Sequence, residues 1–217
     1  AYRAFQLANE AMLLQRSQTL IKSGKTVDPA RITWYPFQLA FILHELSSFI
    51  DPTSEERRVV DLLWFPTGGG KTEAYLGITA FSIFLRRLRN PSDDGVTVIM
   101  RYTLRLLTLQ QFERASMLIL ACELLRKKYG IEGSEFSIGL WVGGKLTPNS
   151  LDEARTAIAK QKNGAQIPEE ESNPCQIKLC PWCGARLSPA DYEVQKLHKR
   201  MIIRCPDNCI LYTSDAA

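Results

Sequence analysis

The sequence predicts an α/β domain, a mainly parallel sheet with flanking helices, joined to a small cysteine-bearing module. Three observations predict it. From Val59 onward, short apolar runs alternate with longer stretches of helical apolar spacing, the pattern of strands joined by crossover helices. A glycine-rich segment, Pro66-Thr67-Gly68-Gly69-Gly70-Lys71-Thr72, stands where one run passes into a helix. Five of the six cysteines crowd into the last fifth of the 217 residues, where the texture turns polar and proline-rich.

The elements follow in order. Phe5, Leu7, Met12, Leu13 and Leu20 recur at helical spacing, so Tyr2 to Ile21 reads as an amphipathic helix. Ser23-Gly24-Lys25-Thr26 breaks it, and Asp28-Pro29 begins a turn. A second helix starts after Pro36 and runs toward Ile50, because a first-turn proline gives up an N–H that has no helical partner. Val59 to Phe65 reads as a buried strand, Lys71 to Leu88 as a helix, and Val96 to Met100 as a second strand. A helix over about Leu104 to Lys128, a third strand over Phe136 to Val142 and a helix over Leu151 to Lys160 complete the series. The pattern stops near Ala165–Glu171. Residues 1–52 are thus an N-terminal helical segment, 53–164 the sheet-bearing lobe, 165–210 a cysteine-bearing insert and 211–217 a tail unrelated to the fold.

Composition narrows the class. Apolar residues make up 45%, ordinary for a packed domain, and the net charge of +4 is mild. It permits a nucleic-acid partner without demanding one. No apolar run approaches the ~18–20 residues that cross a bilayer, and the start of the chain lacks the order of a secretion signal. Cysteines with metal-ligand spacing suit a reduced cytoplasm rather than a secreted disulfide scaffold.

The glycine segment carries the chemistry. Gly68, Gly69 and Gly70 let backbone N–H groups turn inward with no Cβ in the way, making a concave anion cradle. The helix opening at Lys71 points its positive end at the same place. Lys71 reaches the β- and γ-phosphates of a nucleotide as a point charge, and the Thr72 hydroxyl ligates Mg²⁺. Phe65 stands where the general phosphate-loop pattern wants a further glycine. The similar Ser23-Gly24-Lys25-Thr26 has no buried strand before it and reads as a plain loop.

Pro66-Thr67-Gly68-Gly69-Gly70-Lys71-Thr72, lacking that first glycine, resembles motif I of superfamily 2 helicases. Trp34-Tyr35-Pro36-Phe37-Gln38 resembles their Q-motif region, which implies that Gln38 meets the adenine edge with a ring from Trp34, Tyr35 or Phe37. A glutamine capping its own helix is the equal alternative. Val98 to Gln110 resembles motif Ia, which implies backbone contacts to nucleic acid from Thr103, Arg105 and Gln110; a helix cap followed by solvated positions is the plainer reading. Trp141-Val142-Gly143-Gly144 is similar to the turn of motif Ib. The wording of Leu63 to Gly77 and of Met100 to Leu107 is most similar to the helicase subunit of DISARM anti-phage systems, and helicases with a DUF1998-type C-terminal region share part of it. The resemblance implies a P-loop, RecA-like lobe one in incomplete form, binding ATP and Mg²⁺ and acting on nucleic acid, DNA above all, with other defence subunits as possible partners. Motif II, an Asp-Glu pair ending a buried strand, is absent. Asp152-Glu153 follows no apolar strand and reads as first-turn acids of a helix. The expectation is an ATP-dependent helicase or translocase as a whole protein, and a 217-residue piece that hydrolyses essentially no ATP alone.

Cys180-Pro181-Trp182-Cys183 and Cys205-Pro206-Asp207-Asn208-Cys209 offer two pairs of thiolates, which suit a closed, structural Zn²⁺. Tyr192-Glu193-Val194 and Met201-Ile202-Ile203 supply strands for a ribbon between them. Cys175 is a spare and Cys122 a small core residue. His198 sits among basic residues as an alternative ligand, and His44-Glu45 lacks the second histidine of H-E-x-x-H. Arg86-Arg87-x-Arg89 and Arg126-Lys127-Lys128 end two helices, where the dipole explains them. Two rival functions remain: another P-loop enzyme such as a small-molecule kinase, and a non-enzymatic zinc-ribbon binding module with a dead nucleotide fold.

Overall fold

The computed structural model describes residues 1–66, 68–102, 105–142, 146–166, 168, 172–197, 199–209 and 211–214, with the backbone alone at 105–107 and 211–214. Five helices run in order: α1 (Tyr2–Lys22), α2 (Pro36–Ile50), α3 (Lys71–Arg89), α4 (Arg105–Lys128) and α5 (Leu151–Lys162). Three strands follow: β1 (Tyr192–Gln195), β2 (Arg200–Arg204) and β3 (Leu211–Ser214). The helices fall where apolar spacing and breakers place them. The chain divides into two compact units, residues 1–101 with 121–136, and residues 102–120 with 137–217.

The first unit is helical. Ala4, Leu7, Ala8 and Ala11 of α1 are buried at helical spacing, and α3 packs against α1 and α2. Small residues on α1 allow close approach, and α3 buries Ala74, Leu76, Ala80, Phe81 and Phe84. At Gly77 a Cβ would meet the Trp34 ring at 2.9 Å and Ile42 at 3.0 Å, so the segment entering α2 lies directly on α3. Trp34 is held there by its Nε1–H, which donates to Asn9 Oδ1 at 2.7 Å.

The basic helix ends are used within the unit. Arg86 donates to Asp93, to the Val96 carbonyl and to the Thr97 hydroxyl. Buried Arg87 donates to the Ser134 carbonyl and hydroxyl and lies 4.9 Å from the Phe136 ring centre. Arg89 donates to the carbonyls of Phe49 and Ile50 at the end of α2, satisfying acceptors a helix terminus leaves open. Glu123 accepts from Arg126 Nε and Nη2, each at 2.7 Å, and from the Phe136 N–H at 3.1 Å.

The second unit holds the sheet. It is antiparallel, in the order β1-β2-β3, with Tyr192 opposite Ile203 and Ile203 opposite Tyr212. Leu211–Ser214, which the sequence assigns to a tail, is its third strand. Ile158 of α5 joins Cys175, Ile177, Leu187, Tyr192 and Ile203 in one apolar core. The Tyr192 hydroxyl is buried there and donates to the Ile177 carbonyl at 2.5 Å. Ser150 caps α5 by accepting from the Glu153 N–H at 3.3 Å. Asp152 and Glu153 therefore occupy its first turn, where acids favour the helix dipole.

The predicted parallel, RecA-like P-loop sheet is overturned. Val59–Phe65, Val96–Met100 and Phe136–Val142 form no strand, and the sheet among the described residues is small and antiparallel. Val60 is 94% exposed and Trp141 96%, with Leu62, Trp64, Val96 and Ile99 exposed as well. The physical reason is pairing. A short apolar run signals burial, but a strand also needs neighbours for its N–H and C=O groups, and these three runs do not supply one another.

Candidate functional site: a glycine loop on α3 and a four-cysteine centre

The loop before α3 is shaped by conformations that glycine supplies. Gly68 and Gly70 have φ of 82° and 90°, left-handed values that cost other residues steric strain. Gly69 is held by close approach instead. A Cβ there would lie 2.6 Å from the Phe65 ring. Phe65 in turn stacks on Phe37 with ring centres 3.8 Å apart and planes 10° from parallel, and Tyr35 lies 6.3 Å beyond Phe37. Local sequence contains this aromatic wall, yet strand periodicity assigns Phe65 to a sheet; only its position beside the glycines hints at a packing role.

Gln38 links the loop to α2. It is 3% exposed; its Oε1 accepts from the Tyr35 N–H at 2.9 Å, and its Nε2 donates to the Gly70 carbonyl at 2.8 Å. The first bond is the helix-capping arrangement weighed against adenine contact. The second ties the amide to the glycine loop, which sequence reasoning did not foresee. An amide offers two donors and two acceptor sites, so each end keeps one.

Lys71 and Thr72 open α3 and are half-buried. Lys71 Nζ donates to the carbonyls of Phe65, at 2.5 Å, and Pro66, at 3.1 Å. The structure thus brings together Gln38, Gly68, Gly69, Gly70, Lys71 and Thr72 at the head of one helix. These residues fit a triphosphate. A Cβ at Gly68 would meet nothing within 4 Å, leaving space over the loop, and the helix start adds the positive end of its dipole. Thr67 and Thr103 lie outside the described residues. Arg105 begins α4, and Gln110 is exposed on the same helix. Gly143 and Gly144 of the Ib-like turn also lie outside them.

The four cysteines of the second unit converge. Their sulfurs all lie within 4.8 Å of one another; Cys180 and Cys209 are 3.5 Å apart, and Cys183 and Cys205 3.4 Å. No disulfide joins them, and sulfurs around a tetrahedral zinc with bonds of about 2.3 Å stand ~3.8 Å apart. The donor set therefore fits Zn²⁺ with all four positions filled by protein. Local folding makes the two knuckles. Gly184 takes φ of 83° and its N–H donates to the Cys180 carbonyl at 2.9 Å, while the Ala185 N–H points at Cys183 Sγ at 3.4 Å. On the other side, β2 ends at Arg204, and Asn208 turns left-handed with its N–H on the Cys205 carbonyl. Burial pushes the thiols of Cys183 and Cys209 up, and at Cys209 the contacts with Cys205, Cys183 and Cys180 add to it, so a metal entering here displaces protons.

Cys175 stays outside this cluster in the apolar core, where burial pushes its thiol up to about 11. Cys122 is fully buried on α4, its thiol likewise raised by burial. His198 lies outside the described residues.

Over 200 residues, 86% of this chain, the sequence is 43% identical to DISARM protein DrmA of Bacillus paralicheniformis. The chain is related to that protein over most of its own length. It spans 18% of that protein's length. No protein-family description matches it. No helix among the described residues is long and apolar enough to cross a membrane.

Proposed function

We propose that this chain is the nucleotide-binding portion of an ATP-dependent nucleic-acid helicase or translocase, acting on DNA in anti-phage defence. The observation that carries the reading is the glycine loop at the head of α3, with Lys71, Thr72 and the buried Gln38 amide gathered on it. The relationship to DISARM protein DrmA supports the defence role.

In this reading the N–H groups of the loop and of the first turn of α3 hold phosphate oxygens. Lys71 exchanges its bonds to the Phe65 and Pro66 carbonyls for those oxygens. Thr72 supplies a hydroxyl to Mg²⁺, and Tyr35, 62% exposed, offers a ring face to the base. ATP held there would supply the phosphoanhydride bond whose hydrolysis to ADP and phosphate drives movement. Gln38 reads the loop through Gly70 and the entry to α2 through Tyr35. Thr103, Arg105 and Gln110 serve as contacts to the nucleic-acid backbone. Zn²⁺ on Cys180, Cys183, Cys205 and Cys209 is structural.

Magnesium-ATP should raise the unfolding temperature of the 217-residue chain, since a ligand that binds only the folded state stabilises it. Lys71→Ala should weaken binding at least tenfold, about 1.4 kcal/mol. Equal binding by the two proteins rejects the assignment of Lys71, and no response in the wild type rejects the nucleotide reading itself.

A further inference from the structure

His44 and Glu45 are neighbours on α2, and the chain comes back past them after the short 3₁₀ turn Glu55–Arg58. That return is pinned to the helix. Arg57 Nη1 donates to the Ser48 carbonyl at 2.6 Å, and the Ser47 hydroxyl donates to the Glu56 carboxylate. Asp61 is thereby carried to the same spot, and ligand atoms of His44, Glu45 and Asp61 all lie within 4.8 Å of one another. A cavity of about 230 Å³ adjoins them, lined also by Ser48, Glu56 and Val59.

The Glu45 side chain is only 12% exposed. Its Oε1 is shielded from water and accepts no hydrogen bond, with His44 Nδ1 standing 3.6 Å away. A shielded carboxylate oxygen without a donor is costly, and a second carboxylate beside it adds repulsion. A cation between the three side chains removes both penalties.

We propose that His44, Glu45 and Asp61 bind a divalent first-row transition cation. The donor set selects the class. An imidazole nitrogen with carboxylate oxygens suits Mn²⁺ or Zn²⁺, whereas Ca²⁺ seeks six to eight oxygens and Mg²⁺ keeps its waters. With bonds of about 2.0–2.2 Å, ligands around such an ion stand ~3–4 Å apart, so a small inward movement closes the triad. Three protein ligands leave positions for water or another oxygen ligand. The site is separate in chemistry from the cysteine centre, whose soft thiolates disfavour Mn²⁺.

Manganese is therefore the probe. The 217-residue chain, loaded with one equivalent of zinc and free of nucleotide, is titrated with Mn²⁺ while electron paramagnetic resonance follows the free ion. One equivalent should disappear from the free signal. Asp61→Asn and His44→Ala each should weaken binding at least tenfold, with the helix content by circular dichroism retained because both side chains are solvent-facing. Asp152→Asn, which removes an exposed carboxylate on α5, should bind as the wild type does. The proposal is overturned by a free signal that tracks added Mn²⁺ to millimolar concentration, or by folded variants at positions 44 and 61 that bind like the parent.

Discussion

Replacing Gly70 with alanine tests the coupling between the loop and α2. The residue sits at φ of 90° and ψ of 23°, a left-handed conformation that costs a residue with a Cβ about 1–2 kcal/mol. The new Cβ would also stand 2.7 Å from Gln38 Nε2. A surface glutamine would swing aside at little cost, but this one is buried and bonded at both ends. Moving it abandons the Tyr35 N–H and the Gly70 carbonyl, roughly 1–3 kcal/mol for partners left unsatisfied. The sum is about 2–5 kcal/mol. Urea unfolding of four proteins, the wild type, Gly70→Ala, Gln38→Ala and the double variant, separates the parts. In the Gln38→Ala background the obstruction is gone, so Gly70→Ala should cost only its backbone share. The two changes should then be non-additive by roughly 1–3 kcal/mol. Additivity to within about 0.5 kcal/mol would refute the claim that Gln38 braces the loop.

Three further outcomes are expected. Chelation of zinc should raise proteolysis between Gln176 and Cys209 while α1 to α3 keep their protection, and zinc affinity should fall with pH because protonated thiols compete with the metal; identical digestion with and without chelator counts against the centre. Tyr192→Phe removes the buried bond to the Ile177 carbonyl and should destabilise the second unit by about 1–3 kcal/mol, read from hydrogen exchange in β1 and β2. For Glu123, burial opposes ionisation, but Arg126, the Phe136 N–H and Lys127 together outweigh it and lower the carboxyl below its ordinary 4.5. Its stabilisation is present above 4.5 and is lost as pH falls through the lower folded value, so the stability gap between wild type and Glu123→Gln should shrink on acidification; a gap unchanged from pH 6 to pH 3 would contradict this.

What the sequence reveals depends on how local the cause is. Helices are legible because their signals lie within a few residues: Pro36 at a first turn, Ser150 as a cap, Asn90-Pro91 as a stop. The cysteine centre is legible for the same reason, since each knuckle is a turn specified by a residue beside its own ligands, Gly184 just after Cys183 and Asn208 just before Cys209. Val59–Phe65, Val96–Met100 and Phe136–Val142 are misread because β-propensity describes a residue's preference and not its partner. Gln38 lies between these cases. Its capping bond is readable from Pro36 and spacing, whereas its bond to Gly70 spans separate elements and leaves no periodic trace. Asp61 joins His44 and Glu45 without any short motif, because a pinned turn and not spacing brings it there.

The exposed apolar stretches carry a practical consequence. Val60, Leu62 and Trp64 in one, Val96 and Ile99 in another, and Trp141 in a third all face solvent. Water gains entropy whenever such groups are covered, and backbone that belongs to no sheet offers ladder partners to any similar segment. A purified sample should therefore light up hydrophobic dyes, elute later or broader as it is concentrated, and need mild detergent or low protein concentration to stay monodisperse.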